Sequence, residues 1–199
     1  MKILIEAIPR SGSTVLMKAL AKFFNCSSVG LDRPHPISSQ YYFKQTKAKN
    51  IVVKCMASQF PSDCKFEDRL DIHTRFAKQF DVVICLGRKN KKEQVESYAH
   101  AVNNNKNPAE WHGNYIFNNN LTSNDYSEHS YRYEGHISDL KLLSTNIDSK
   151  IIWYEDLYSG DKDRVNHCLN HLPEEISFEN LKKYIDPALK YRATSKIPI

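Results

Sequence analysis

The sequence contains no long hydrophobic run, and its mean hydropathy is −0.57. A membrane-spanning helix needs roughly 20 consecutive apolar residues, so we expect no transmembrane segment and no membrane partner. Residues 1–6 already reach a glutamate, and Pro9 and Arg10 follow before an apolar region of signal-peptide length develops. The sequence therefore predicts a cytoplasmic protein.

Cysteine motifs are absent as well. The five cysteines are spread along the chain, and no C-x-x-C pair occurs among them. Such an odd and scattered set predicts neither a disulfide framework nor a zinc site, and we expect no metal cofactor. Cys55 and Cys85 lie inside apolar runs, which is typical of small core residues in a reducing compartment such as the cytoplasm.

Neither sign of charge is in strong excess. The chain has 28 lysines and arginines against 23 aspartates and glutamates, a formal net charge of +5. Solvated lysines explain this excess, and so does a polyanionic ligand, because a positive cleft raises the local concentration of such a ligand. The basic residues form no continuous stripe with interleaved aromatic residues, so we expect no nucleic-acid partner.

Four nearly continuous apolar segments are present, at residues 2–8, 51–56, 81–86 and 150–154. Strands that are covered on both faces have this composition. Helical patterns separate the segments, near residues 13–24, 67–79, 91–102, 128–146 and 161–171. The alternation predicts the α/β class, as a three-layer α/β/α arrangement with a central parallel sheet in a single domain over residues 1–199.

Two stretches are predicted to be irregular. Residues 25–37 contain Gly30, Pro34 and Pro36, which break regular structure. Residues 103–125 are rich in asparagine and poor in aliphatic side chains, which is typical of an irregular insertion or lid.

The first apolar segment ends in a turn with the sequence Arg10-Ser11-Gly12-Ser13-Thr14. Backbone N–H groups converge at a strand-to-helix turn, and the helix dipole adds positive potential there. Gly12 permits a positive φ or a close backbone approach, and Arg10 offers a planar fork suited to phosphate or sulfate oxygens. A helix start capped by Ser13 or Thr14 is the simpler interpretation. It leaves unexplained why an arginine, a glycine and three hydroxyls are concentrated at one junction.

The turn is not a Walker A loop, because the string G-x-x-x-x-G-K-[ST] does not occur. The missing lysine argues against hydrolysis of nucleoside triphosphates. The turn instead resembles the P-[KR]-[ST]-G-[ST]-T loop of sulfotransferases that use 3′-phosphoadenosine-5′-phosphosulfate (PAPS). The resemblance implies a P-loop-like sulfotransferase fold in which residues 10–14 hold the 5′-phosphate and the sulfuryl group.

A second anion site is predicted after the third apolar segment, where Arg88 is followed by Ser97 on a helical pattern. A phosphate held between these side chains is physically reasonable, although an arginine at a strand end is usually solvated or paired. Residues 88–97 resemble the R-R-D-x-x-x-Q-x-x-S form of the bacterial trehalose-sulfotransferase branch, with Lys89 and Asn90 replacing the usual Arg-Asp. The resemblance implies that Arg88 and Ser97 bind the 3′-phosphate of PAPS.

Two further residues match the same family. Tyr154 opens a Y-E-D-L string that follows a late strand, and in the family this tyrosine lies near the adenine. Lys54 falls where the family places a lysine beside the sulfuryl group, and there it would stabilise charge on the bridging oxygen together with Arg10. A lysine that extends from a strand end into solvent is an equally good explanation of Lys54.

The catalytic base is expected outside these strings. The histidine of the K-T-H string found in many relatives is replaced here by Lys54-Cys55-Met56, and residues 32–36 match a glutamate-bearing loop but have no glutamate. His35 is the first choice, because an imidazole with a pKa of about 6.5 accepts a hydroxyl proton at neutral pH. The alternatives are Asp32, His73, Glu134 and His136. A basic tail that closes over the 3′-phosphate is a further expectation, with Lys190, Arg192 and Lys196.

Together these patterns favour in-line transfer of a sulfuryl group from PAPS to an acceptor hydroxyl, releasing adenosine 3′,5′-bisphosphate without a metal. The acceptor is expected to be a carbohydrate or another small molecule. Two alternatives stay open: a nucleotide or small-molecule kinase of the P-loop class, and a nucleotide-binding module without activity.

Overall fold

A computed structural model of the chain describes residues 1–31, 38–57, 59, 61, 63–104 and 122–183. The strands are β1 (Lys2–Ala7), β2 (Ser27–Gly30), β3 (Ile51–Met56), β4 (Val82–Gly87) and β5 (Ile151–Trp153). The helices are α1 (Ser13–Phe23), α2 (Ser39–Gln45), α3 (Arg69–Ala77), α4 (Lys91–Asn104), α5 (Ser123–Asn146), α6 (Tyr154–Leu157), α7 (Lys162–Leu169) and α8 (Phe178–Leu181). A 3₁₀ turn at Phe66–Asp68 precedes α3.

The strands form one five-stranded sheet in the order β2-β3-β1-β4-β5, and every neighbouring pair is parallel. The α/β class and the parallel central sheet are therefore confirmed. Parallel strands need crossover connections, which the intervening helices provide. Among the described helices, none combines the length and the apolar character that crossing a bilayer requires.

Helices pack on both faces of the sheet, and alternate residues of β1 show this. Ile3 and Ile5 belong to a buried cluster with residues of α1, α7 and α8, whereas Leu4 packs with residues of α2 and α3. Ile8, just after β1, packs with residues of α4 and α5. Successive strand residues point to opposite faces, so this alternation is consistent with the predicted three-layer arrangement. Cys55 and Cys85 are fully buried in the core, as predicted.

The connections leave β1 and β4 in opposite directions. After β1 the chain passes through α1 to the edge strand β2, and after β4 it passes through α4 and α5 to β5 at the other edge. In open parallel sheets, ligands bind outside the carboxyl ends of strands at such a divergence. The turn that begins at Pro9 and the segment that begins at Arg88 both lie at this point.

The two stretches predicted to be irregular are in part regular. The prediction of a loop over residues 25–37 is wrong for Ser27–Gly30, which form β2 by pairing with β3, while residues 32–37 lie outside the described part. This edge strand is short and half polar, so pairing rather than composition makes it a strand. Within 103–125, α4 extends to Asn104 and α5 begins at Ser123, and residues 105–121 are outside the described part.

Candidate functional site

The turn after β1 contains two residues in the left-handed backbone region. Arg10 has φ 64° and Gly12 has φ 77°. The Ser11 hydroxyl donates to the Ile8 carbonyl at 2.8 Å, which closes the turn from within. A non-glycine residue at positive φ is uncommon and needs support from its surroundings. The turn is therefore a tight structure that several neighbours hold in place.

Gly12 is required by packing as well as by its backbone conformation. A Cβ atom at this position would lie 2.7 Å from Cε2 of Tyr158 and 3.1 Å from two ring atoms of Tyr154. The Tyr158 hydroxyl also donates to the Gly12 carbonyl at 2.9 Å. Of the two reasons for a glycine that the sequence left open, the positive φ is observed. The atoms that approach this glycine are those of two tyrosine rings.

The start of α1 has three backbone amides with no acceptor in the part of the chain that the structure describes. Val15 and Leu16 both donate to the Gly12 carbonyl, but the amides of Gly12, Ser13 and Thr14 donate to no atom of the described residues. Gly12 occupies the cap position, and no side chain among the described residues caps the helix, so the prediction of a cap by Ser13 or Thr14 is wrong. The first turn of α1 has no acidic residue either. Open amides and an uncompensated dipole at one end of a helix favour an anion there.

Side chains from the segment after β4 hold this turn. Arg88 donates from Nη1 to the Arg10 carbonyl at 3.1 Å, and Gln94 donates from Nε2 to the Pro9 carbonyl at 2.9 Å. Arg10 in turn donates from Nε to the Ser97 hydroxyl at 2.9 Å. The structure thus brings Arg10, Arg88 and Ser97 together beyond the carboxyl ends of the central strands β1 and β4. Their roles as ligands for phosphate stay predictions.

Arg88 is buried and already engaged by carboxylates. Its residue exposure is 5%, its Nη2 donates to Glu93 Oε2 at 2.7 Å, and its Nε lies 3.9 Å from Glu155 Oε1. The guanidinium carbon also lies 4.7 Å from the centroid of the Tyr154 ring. The Nε atom makes no hydrogen bond to any residue that the structure describes. Of the two simpler interpretations of Arg88, an arginine in solvent is excluded, whereas an arginine paired with a carboxylate is what the structure shows.

The Glu155 side chain holds the backbone of the segment that follows β4. Its two carboxylate oxygens accept hydrogen bonds from the amides of Lys89 and Asn90, each at 2.9 Å. Asn90 then accepts from the Glu93 amide through Oδ1 at 3.2 Å, which caps the start of α4 where the sequence placed it. Glu155 is a residue of α6 that fixes the start of a different helix.

Tyr154 packs between the turn and Arg88. Its ring centroid is 4.8 Å from that of Tyr158, and its ring atoms approach Gly12 as described above. Burial raises the pKa of Tyr154, while the Arg88 guanidinium acts in the opposite direction. The hydroxyl is thus neutral at ordinary pH. The contact of Tyr154 with adenine stays a prediction.

The Lys54 side chain reaches the start of α1. Its exposure is 2%, and its Nζ donates to the Thr14 hydroxyl at 2.8 Å. The alternative explanation, a lysine that extends into solvent, is therefore wrong. Lys54 thus places a positive charge at Thr14, and Arg10 adds a second cation to the same turn, where its side chain is directed to Ser97. Two cations at one turn suit an anion with more than one charge.

His73 lies in a buried cluster with Glu6 and Cys55 on the α3 side of the sheet. Its Nδ1 is 2.9 Å from Glu6 Oε1 and 4.0 Å from Cys55 Sγ, and its Nε2 is hydrogen bonded to the Gln59 carbonyl. Burial alone would lower the pKa of His73, but the Glu6 carboxylate outweighs it and raises the pKa well above the usual value. Both ring nitrogens therefore donate. His73 is 1% exposed and is not placed to act as the base.

The same cluster contains the atoms best placed to hold a metal ion in the described part of the chain. Carboxylate, thiol and imidazole donor atoms of Glu6, Cys55 and His73 lie within 4.8 Å of one another. The separation of 2.9 Å between nitrogen and oxygen is that of a hydrogen bond with a proton between them. The cluster is accounted for as a proton-mediated ion pair.

The remaining base candidates lie elsewhere. Glu134 is paired with Lys91 at 2.7 Å on the surface, and His136 packs 6.4 Å from the Tyr98 ring, where burial lowers its pKa. Asp32 and the favoured His35 lie outside the described residues, as do the tail residues Lys190, Arg192 and Lys196.

The fold and the site define an α/β protein with a parallel five-stranded sheet and a candidate anion-binding turn at its centre. No protein-family model matches the chain, and no curated protein matches it either.

Proposed function

We propose that this chain is a PAPS-dependent sulfotransferase with a P-loop-like fold. The acceptor hydroxyl, on a carbohydrate or another small molecule, attacks the sulfur atom of PAPS. A new S–O bond forms as the bond from sulfur to the bridging oxygen breaks, and adenosine 3′,5′-bisphosphate leaves with that electron pair. The hydroxyl proton passes to a base, so the reaction needs no metal ion in this scheme.

The observation that carries the proposal is the hydrogen bond from Arg10 to Ser97. These residues belong to two strings that resemble the 5′- and 3′-phosphate motifs of one nucleotide. They are distant in sequence, and they meet at the point where the connections that follow β1 and β4 leave in opposite directions. A ligand that carries an anionic group at each end is the simplest ligand that would bind to both motifs.

For the 5′-end, the amides of Gly12, Ser13 and Thr14 and the cations of Arg10 and Lys54 supply the binding groups. Preorganised donors of this kind stabilise charge that develops in a transition state, because they need no rearrangement during the reaction. Lys54, held at Thr14, is assigned to the bridging oxygen as the bond to sulfur breaks. Positioning and electrostatics then supply most of the rate, as they do in phosphoryl transfer.

For the 3′-end, Arg88 and Ser97 are assigned to the phosphate, and Tyr154 to the adenine. Charge-assisted hydrogen bonds from a guanidinium to phosphate are among the strongest that a protein makes. His35 is assigned as the base that takes the hydroxyl proton.

The test is transfer of radiolabelled sulfate from PAPS to a panel of sugars and small alcohols. We expect a labelled sulfate ester with one acceptor class, and no transfer of phosphate from ATP to the same panel. His35→Ala is expected to lower kcat by about 10²- to 10⁴-fold, whereas His167→Ala, which alters an exposed histidine of α7, leaves it unchanged. Binding of the bisphosphate without transfer to any acceptor would instead identify a nucleotide-binding module. Transfer from ATP would identify a kinase.

A further inference from the structure

The two members of the Arg88–Glu93 ion pair differ in how firmly they are fixed. The Arg88 side chain is 6% exposed, and its Nη1 is bonded to the Arg10 carbonyl. Glu93, whose carboxylate accepts from Nη2 at 2.7 Å, has a side chain that is 46% exposed. The arginine is therefore fixed in the core of the site, while the glutamate reaches it from the surface.

The Glu93 carboxylate makes no other hydrogen bond or ion pair within the described part of the chain. Its own amide is held by Asn90, so rotation of the side chain leaves the start of α4 intact. A carboxylate and a phosphate present the same kind of oxygen acceptor to a guanidinium nitrogen. A phosphate group can therefore replace the Glu93 carboxylate on Nη2 without moving Arg88.

We propose that Glu93 occupies the 3′-phosphate position on Arg88 in the unliganded protein and thereby weakens the binding of nucleotides that carry this phosphate, relative to those that lack it. The inference rests on the proposed function and adds a specificity-determining residue to it. A nucleotide with a 3′-phosphate must displace Glu93 and place its charge near that carboxylate. A nucleotide without the phosphate leaves the ion pair intact and encounters no such opposition.

The test compares two ligands on two variants of the full chain by isothermal titration calorimetry. The ligands are adenosine 3′,5′-bisphosphate and adenosine 5′-monophosphate, and the variants are Glu93→Gln and Glu96→Gln. Glu96 lies on the same helix, loses the same charge when substituted, and forms neither a hydrogen bond nor an ion pair with Arg88 in the described residues. We expect Glu93→Gln to tighten binding of the bisphosphate by about three- to tenfold and to leave the monophosphate unchanged. Glu96→Gln is expected to change neither affinity.

A gain in affinity is an informative result because damage to the fold does not produce it. The inference is overturned if Glu93→Gln binds the bisphosphate no better than the unsubstituted chain, if it tightens both ligands equally, or if Glu96→Gln has the same effect. Should Glu93→Gln not fold, Glu93→Ala removes the same carboxylate. The same changes in affinity for the two nucleotides are then expected of it. If the unsubstituted chain binds neither nucleotide, the proposed function itself fails, which is a separate and recognisable result.

Discussion

The guanidinium of Arg88 donates to the main-chain carbonyl of Arg10 at 3.1 Å, and Arg10 has φ 64°. The end of one central strand thus stabilises an unfavourable backbone conformation at the end of its neighbour. A left-handed residue other than glycine persists only where the surroundings hold it. Arg88 is therefore part of the framework of the turn, in addition to its proposed role toward the 3′-phosphate.

The first prediction concerns the glycine of the turn. Gly12→Ala is expected to destabilise the protein by about 1–3 kcal/mol, because the residue keeps a positive φ and its Cβ would meet the Tyr158 ring at 2.7 Å. The free energy of unfolding from urea titration measures this. Gly135→Ala on α5 is the control: nothing lies within 4 Å of its Cβ position, so alanine there is expected to stabilise the helix by up to about 1 kcal/mol. Equal stability of the Gly12 variant and the unsubstituted chain would contradict this account.

The second prediction concerns Gln94, which is 2% exposed and donates to the Pro9 carbonyl. Gln94→Glu replaces the donor with an acceptor and is expected to cost about 1–3 kcal/mol of unfolding free energy. Because the turn loses a tether, affinity for adenosine 3′,5′-bisphosphate is expected to fall as well.

Gln45→Glu is the matched control for that measurement. Gln45 of α2 also donates from Nε2 to a backbone carbonyl, that of Tyr41 at 3.2 Å, but this hydrogen bond is exposed. Little change in stability or affinity is expected from it. A Gln94 variant that behaves like the Gln45 variant would remove Gln94 from the support of the turn.

The third prediction concerns pH. The pKa of His73 is raised well above 6.5 in the folded protein by Glu6, against the effect of burial, whereas in the unfolded chain it is about 6.5. The protonated form stabilises the fold, so this contribution is fully present below about pH 6.5 and is lost as pH rises toward the folded-state pKa. The unfolding free energy of the unsubstituted chain minus that of His73→Gln, measured from pH 6 to 9, is expected to decrease. A difference that is constant or increases over this range would contradict the buried ion pair.

Much of the fold was predictable because the central strands are apolar on both faces. Residues 51–56 are all buried, and their composition alone indicates a strand between helix layers. The strand β2 was not predictable in the same way, because Ser27–Gly30 become a strand only through pairing with β3. The order of the strands also depends on packing between segments far apart in the sequence.

The residues of the site likewise fall into those that the sequence pattern reveals and those that only tertiary contacts reveal. Arg10, Gly12 and Arg88 stand out locally, because each interrupts or ends an apolar segment in a recognisable string. Glu93 and Glu155 do not, since their importance comes from contacts with Arg88 and with the backbone after it. A glutamate in the first turn of a helix is ordinary, so the sequence alone carried no signal for either role.

The central claim is that Arg10 and Arg88 grip opposite ends of one bisphosphate nucleotide, and the affinity for adenosine 3′,5′-bisphosphate tests it most directly. Titration calorimetry of Arg10→Ala and Arg88→Ala, each verified as folded by circular dichroism, is expected to show a loss of about 10- to 100-fold for each. Arg75→Ala, which removes an exposed arginine of α3, is expected to retain the affinity of the unsubstituted chain. If the two site variants, still folded, bind the bisphosphate as tightly as the unsubstituted chain does, the account of the site is wrong.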